Sequence, residues 1–110
     1  MSRIPGTAAV ALIALFVTAT VAAEPDGSAV FQRHCATCHG ASGRTDTPHA
    51  RALKVRPLAD DPTLAGMDVV AIVEAIRSNP KHQGIGALTD LDAARLTAAA
   101  EYVRTLARGR

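Results

Sequence analysis

The chain has 110 residues and a formal net charge of +2, and its charged residues are scattered along it. This length fits one domain, and so small a charge without a basic cluster gives no basis for nucleic-acid binding. One Tyr, two Phe and no Trp leave few large side chains for a core.

The first 23 residues differ in composition from the rest. Arg3 is their only charge, and residues 8–23 carry none. The run ends in Val21-Ala22-Ala23, the small residues that a signal peptidase recognises. We therefore expect a signal peptide over residues 1–23, followed by a mature domain over residues 24–110. The alternative is an uncleaved membrane anchor, because the apolar run is only slightly short for a membrane span.

The mature domain is small for a protein that folds around its own side chains. Removal of residues 1–23 leaves 87 residues with 11 basic and 10 acidic side chains. Phe31 and Tyr102 are then the only aromatic residues apart from histidine. A domain of this size has difficulty filling a core alone, so we expect a bound group in its centre.

The mature sequence predicts an all-α fold. The first helix is expected from about Ser28, as its N-cap, to Cys38. Residues 40–67 read as a long Gly- and Pro-rich loop with a short helix near residues 49–53. A loop of this length inside a compact domain is unusual unless it surrounds something.

Two further helices follow the loop. The second runs from Asp68, its N-cap, to Ser78, and Asn79-Pro80 ends it. The last helix opens with a capping box from Thr89 to Asp92. Apolar stripes on these helices comprise Val69, Ile72, Val73 and Ile76 on one, and Leu96, Ala99, Val103 and Leu106 on the other.

Both cysteines lie in the stretch FQRHCATCHG, where Cys35 and Cys38 are separated by two residues and His39 follows. A redox disulfide of this spacing normally starts a helix after a strand, whereas here it ends a helix with no strand before it. A zinc site needs four ligands, and the adjacent Cys38 and His39 side chains point in different directions. We favour a third interpretation, in which two thiols attach one haem covalently and the next histidine binds its iron.

The sequence resembles the class I mono-haem c-type cytochromes over residues 27–107. The resemblance rests on FQRHCATCHG, on TPHARAL, and on LTDLDAARLTAAAEYVRTLA as the last helix. It implies three main helices and a short one wrapped around one covalent haem c. It also implies that Phe31 and Tyr102 pack where the first and last helices cross.

The resemblance assigns further residues to the haem pocket. Pro48 stands where the family has a proline whose carbonyl accepts the N–H of the proximal imidazole of His39. Leu53 and Leu58 are then expected to line the pocket. The cofactor-binding residues implied are therefore Cys35, Cys38, Pro48 and Leu53, with His39 as an iron ligand.

The sixth iron ligand departs from the family pattern. The usual methionine is absent from residues 78–88, whereas His82 follows Pro80 and Lys81 in that loop. We therefore expect His82 to bind the iron. An open or water-bound iron and ligation by Met67 are the alternatives. We expect His34 and His49 to face solvent.

These features indicate an electron-transfer protein of the periplasm, without enzymatic activity, that exchanges electrons with redox partner proteins. It would have no membrane span once the signal is cleaved. The alternatives are a haem protein with an open distal site for small gases or peroxide, and a small haem subunit of a larger redox enzyme.

Overall fold

The computed structural model describes residues 24–109, together with residue 6 and residues 11–16. The predicted cleavage site after Ala23 lies outside the described residues, as does most of the predicted signal peptide. Residues 11–16 have no regular secondary structure. In the described ranges, no helix combines the length and the apolar character that crossing a membrane requires.

The described part of the chain is helical and contains no strand, which confirms the all-α prediction. Three main helices and several short ones make up residues 24–109. In chain order they are α1 (Gly27–His34), α2 (Ala36–His39), α3 (Pro48–Ala52), α4 (Pro62–Ala65), α5 (Val69–Ser78), a 3₁₀ helix (Pro80–His82), α6 (Gly86–Thr89) and α7 (Ala93–Arg108).

The N-termini of the first and last helices differ from the prediction. Asp26 caps α1, because its carboxylate accepts from the backbone N–H of Ser28 at 3.0 Å, so Ser28 is not the N-cap. Asp92 caps α7 by accepting from the N–H of Arg95 at 2.8 Å. The predicted capping box from Thr89 is wrong, because Thr89 ends the separate helix α6. In both cases the aspartate immediately before the first helical residue supplies the cap.

The second main helix matches the prediction at both ends. Asp68 caps α5 by accepting from the N–H of Ala71 at 2.7 Å. The helix ends before Asn79-Pro80, where the residue preceding a proline leaves the helical region. Its apolar stripe faces the core, with Ile72 buried and Val69, Val73 and Ile76 packed beside it.

The long predicted loop contains more structure than expected. The short helix predicted near residues 49–53 is α3. A second short helix, α4, was missed although Asp61 caps it and Pro62 occupies its first turn. Two hydrogen bonds join the beginning and the end of the loop, because the N–H groups of Leu58 and Ala59 donate to the Gly43 carbonyl at 2.8 and 3.1 Å. The loop backbone is therefore held in a closed path after α2.

Helices α1 and α7 cross in close contact. Gly27 lies so near the carbonyl of Ala98 that a Cβ atom would collide with it. One turn further along, the rings of Phe31 and Tyr102 pack with centroids 5.3 Å apart and planes tilted by 57°. The packing of these aromatics at the crossing confirms the expectation from the sequence.

The hydrophobic core is thin. Its central cluster consists of Phe31, Ile72, Ala100 and Val103, and Phe31 is the only large side chain that is fully buried among the described residues. Four of the ten buried apolar residues are alanines. Alanine side chains bury little area, so these residues add little volume to the core. A domain of this kind has a core that a bound group can complete.

Candidate functional site

The two cysteines lie on one helical turn. Cys35 stands between α1 and α2, and its carbonyl accepts from the N–H groups of Cys38 and His39 at 3.2 and 2.9 Å. Both thiols are half-buried and free rather than joined as a disulfide. The turn therefore presents two thiols and the next imidazole within a single compact segment.

Burial controls the protonation of the first thiol. The pKa of Cys35 is raised to about 11, first by removal of the group from water and then by the neighbouring Cys38. Cys35 is therefore a neutral thiol at physiological pH.

The chain that follows His39 folds back against the CxxCH turn. Gly40 ends α2 with a φ of 82°, a conformation that glycine adopts without steric cost. The N–H of Thr45 then donates to the His39 carbonyl at 2.8 Å. The hydroxyl of Thr47 donates to the Thr37 carbonyl at 3.2 Å. These bonds fix the backbone on both sides of His39.

The ring of His39 lies mostly inside the protein. Its Nδ1 atom is buried and has no hydrogen-bond partner among the described residues. Burial lowers the pKa of His39 and the nearby His82 lowers it further, whereas the backbone of Arg56 acts in the opposite direction. The ring is thus biased toward its neutral form, the form that binds metals.

His82 faces His39 across the site. The two ring centroids are 6.4 Å apart and the ring planes lie at 70° to each other. Nδ1 of His82 lies 2.7 Å from the carbonyl oxygen of Ile76. Because a carbonyl can only accept, Nδ1 must carry the proton and donate it. The lone pair of the neutral ring is then on Nε2.

The gap between the two rings fits one metal ion. A bond between a metal and an imidazole nitrogen is about 2.0 Å long, and that nitrogen is about 1 Å from its ring centre, so two rings on opposite sides of one ion have centres about 6 Å apart. The observed centroid distance is 6.4 Å. The observed spacing is close to the one that two imidazoles on a single ion would have.

The residues predicted to line the pocket occupy different environments. Pro48 is the first residue of α3 and is exposed, and no hydrogen bond joins it to His39. Its role as the acceptor for the His39 ring stays a prediction. Leu53 ends α3 with 48% of its surface exposed. Leu58 is half-buried and packs against the core cluster.

The remaining histidines and Met67 lie in different environments. His49 is exposed and His34 is half-buried. Met67 packs against the core cluster beside the start of α5. In the described part of the chain, no three His, Cys, Asp or Glu side chains are arranged to hold a metal ion together.

The role of the Ile76 backbone carbonyl, which accepts from His82, was missed from the sequence. Any residue type can supply a carbonyl, so a residue letter does not reveal this role. For Ile76 a signal was nevertheless present, because Pro80 stands four residues later and has no N–H for it.

This helical domain has the two thiols and the following imidazole that covalent haem attachment at CxxCH uses. The chain matches the family model for cytochrome c over residues 25–107. It belongs to the cytochrome c family, whose members hold haem c covalently and whose usual role is to carry electrons. Comparison with curated proteins and with solved structures gave no significant match.

Proposed function

We propose that this protein is an exported electron carrier with one haem c, attached at Cys35 and Cys38 and ligated by His39 and His82. The observation that carries the proposal is the 6.4 Å separation of the two imidazole rings. The Nδ1–H of His82 is engaged by Ile76, which leaves Nε2 available as the ligand atom. The opposed imidazole rings support His82 as the ligand in place of Met67.

Attachment needs no oxidant. Each thiol adds across one vinyl group of the porphyrin, so that a carbon–sulfur bond forms, the carbon–carbon double bond becomes single, and the thiol hydrogen ends on the other carbon. The helical turn brings the Cys35 and Cys38 thiols to one porphyrin edge. The two thioethers then retain the cofactor in both oxidation states.

The bound haem would supply a one-electron iron couple. The residues of this chain would determine which molecules reach the iron and how readily it exchanges electrons. His39 and His82 would both bind the iron, which would leave no position on it for substrates or small gases. Burial of His39 and the hydrogen bond on His82 fix the two rings, so little reorganisation accompanies electron exchange with a donor or acceptor protein.

We further propose that residues 1–23 direct the chain to the periplasm and are removed after Ala23. The apolar run of residues 8–23 and its small-residue end support this. Covalent haem attachment at CxxCH is usual on that side of the bacterial membrane, so the predicted location and the proposed cofactor agree.

Replacement of His82 tests the proposed ligation. The haem-loaded His82→Ala protein should bind carbon monoxide rapidly and completely in its ferrous form, because an axial position is then open. The wild-type protein should bind it slowly or incompletely. The matched control is His49→Ala, which removes an exposed histidine of α3 and should behave as wild type. Equal carbon monoxide binding by wild type and His82→Ala would overturn the assignment of His82.

A further inference from the structure

The C-terminal end of α5 has two carbonyls that side chains satisfy in place of the helix backbone. The last carbonyls of a helix lack hydrogen-bond donors within the helix. Here two side chains from the following turn act as the donors. The Ile76 carbonyl accepts from Nδ1 of His82 and the Arg77 carbonyl from Nε2 of Gln83, each at 2.7 Å. One of these two donors belongs to the proposed iron ligand.

Pro80 makes the Ile76 carbonyl available. In a continuing helix this carbonyl would accept from the N–H four residues later, and that residue is Pro80, which has none. The N–H of Asn79 is already bonded to the Ala75 carbonyl. The Asn79 side chain accepts from the N–H of Lys81 at 2.9 Å and starts the 3₁₀ helix that contains His82.

We propose that Pro80 and the Ile76 carbonyl form a positioning device that sets the orientation, tautomer and donor strength of His82 as an iron ligand. The inference rests on the proposed function, since it concerns how the ligand is held. A carbonyl that accepts the second N–H of a metal-bound imidazole orients the ring and strengthens it as a ligand. A stronger imidazole donor favours ferric iron, so the device lowers the reduction potential.

The hydrogen bond from His82 to the Ile76 carbonyl also caps the C-terminal end of α5. Capping affects stability, whereas positioning of the ligand affects the iron. Gln83 makes an equivalent bond to the neighbouring carbonyl at the same distance but has no ring nitrogen for the iron. Gln83→Ala is therefore the matched control for the capping role. If capping were the only role, Pro80→Ala and Gln83→Ala would change stability without changing the haem iron.

The experiment compares wild-type, Pro80→Ala and Gln83→Ala proteins with haem attached. The Pro80→Ala substitution supplies a backbone N–H that competes with His82 for the Ile76 carbonyl. We expect Pro80→Ala to raise the reduction potential, shift the ferric paramagnetic-resonance g-values and speed carbon monoxide binding by about tenfold, the lower end of outer-shell effects. Gln83→Ala should leave all three at wild-type values.

A wild-type potential and spectrum for Pro80→Ala, with two imidazoles still bound, would overturn the positioning role and leave the ligation by His82 intact. A wild-type protein without two imidazoles on its iron would overturn both. One measurement needs no variant: in ¹⁵N-labelled ferrous wild-type protein, the Nδ1–H of His82 should exchange slowly with solvent. Rapid exchange of that proton would also contradict the proposal.

Discussion

Phe31 packs against Tyr102 with ring centroids 5.3 Å apart, and this contact joins the helix of the CxxCH turn to the last helix. Phe31 is fully buried and lies four residues before Cys35. Any loss of this contact therefore loosens the segment that carries both thiols.

Phe31→Ala should destabilise the domain by about 3–5 kcal/mol, the usual cost of removing a buried phenylalanine. Chemical denaturation of the haem-loaded protein measures this. Tyr102→Phe is the control, because it keeps the ring contact and should leave the stability nearly unchanged. A loss below about 1 kcal/mol for Phe31→Ala would show that the crossing is not a principal packing contact.

Gly27→Ala should destabilise the crossing of α1 and α7. An added Cβ would collide with the Ala98 carbonyl and lie 3.2 Å from the Cβ of Tyr102. Overpacking of this kind costs about 1–3 kcal/mol, which exceeds the gain of about 1 kcal/mol from replacing a helical glycine. Gly84→Ala is the control, because no other part of the chain lies within 4 Å of its added Cβ. Equal melting temperatures for the two variants would contradict the close approach.

Replacement of both cysteines should remove the covalent haem and most of the fold. The core holds few large side chains, so the cofactor supplies volume that this chain lacks. Circular dichroism and whole-protein mass spectrometry of Cys35→Ala/Cys38→Ala should show little helix and no haem mass, whereas wild type should carry one haem. Cys35→Ala alone retains one thiol and should keep part of the haem. A helical, cooperatively unfolding double variant without haem would contradict the core argument.

Asp92 should make the stability of α7 depend on pH. Its pKa is lowered from 3.8, first by the hydrogen bond from the Arg95 backbone, and also by the charge of the Arg95 side chain. A carboxyl with a lowered folded-state pKa stabilises the protein above its unfolded value of 3.8 and stops doing so as pH falls through the folded value.

Asp92→Asn isolates this effect, because asparagine is also a good N-cap but does not titrate in this range. The melting temperature of wild type should exceed that of Asp92→Asn at about pH 6, and the difference should vanish well below about pH 4. A difference that stays constant over this range would mean that Asp92 does not titrate with folding.

The sequence predicted helix ends well where the signals that set them lie within a few residues of each end. Asp68 and the Asn79-Pro80 pair define α5 because caps and proline stops act within one turn. The Asp61-Pro62 pair that starts α4 is a signal of the same kind and was overlooked. At α7, Thr89 and Asp92 have the spacing of a capping box, and only the folded chain showed that Asp92 is itself the N-cap.

The arrangement of the site depended on tertiary contacts that no local pattern encodes. The CxxCH motif predicted the thiols and His39, and the loop without methionine indicated His82. The distance from His39 to His82 depends on how α5 packs against α7 and where α5 ends. The carbonyl of Ile76 approaches the His82 ring through the path of the backbone, so its residue type gave no direct sign of this role.

Ligation of one iron by His39 and His82 is the central claim, and electron paramagnetic resonance of the ferric wild-type protein, combined with its near-infrared spectrum, tests it most directly. Rings whose centroids lie 6.4 Å apart should give a low-spin ferric iron with two imidazole ligands and no long-wavelength sulfur-to-iron band. A high-spin ferric signal would instead indicate an open or water-bound iron, and the sulfur band would indicate ligation by Met67. Either result would contradict the account.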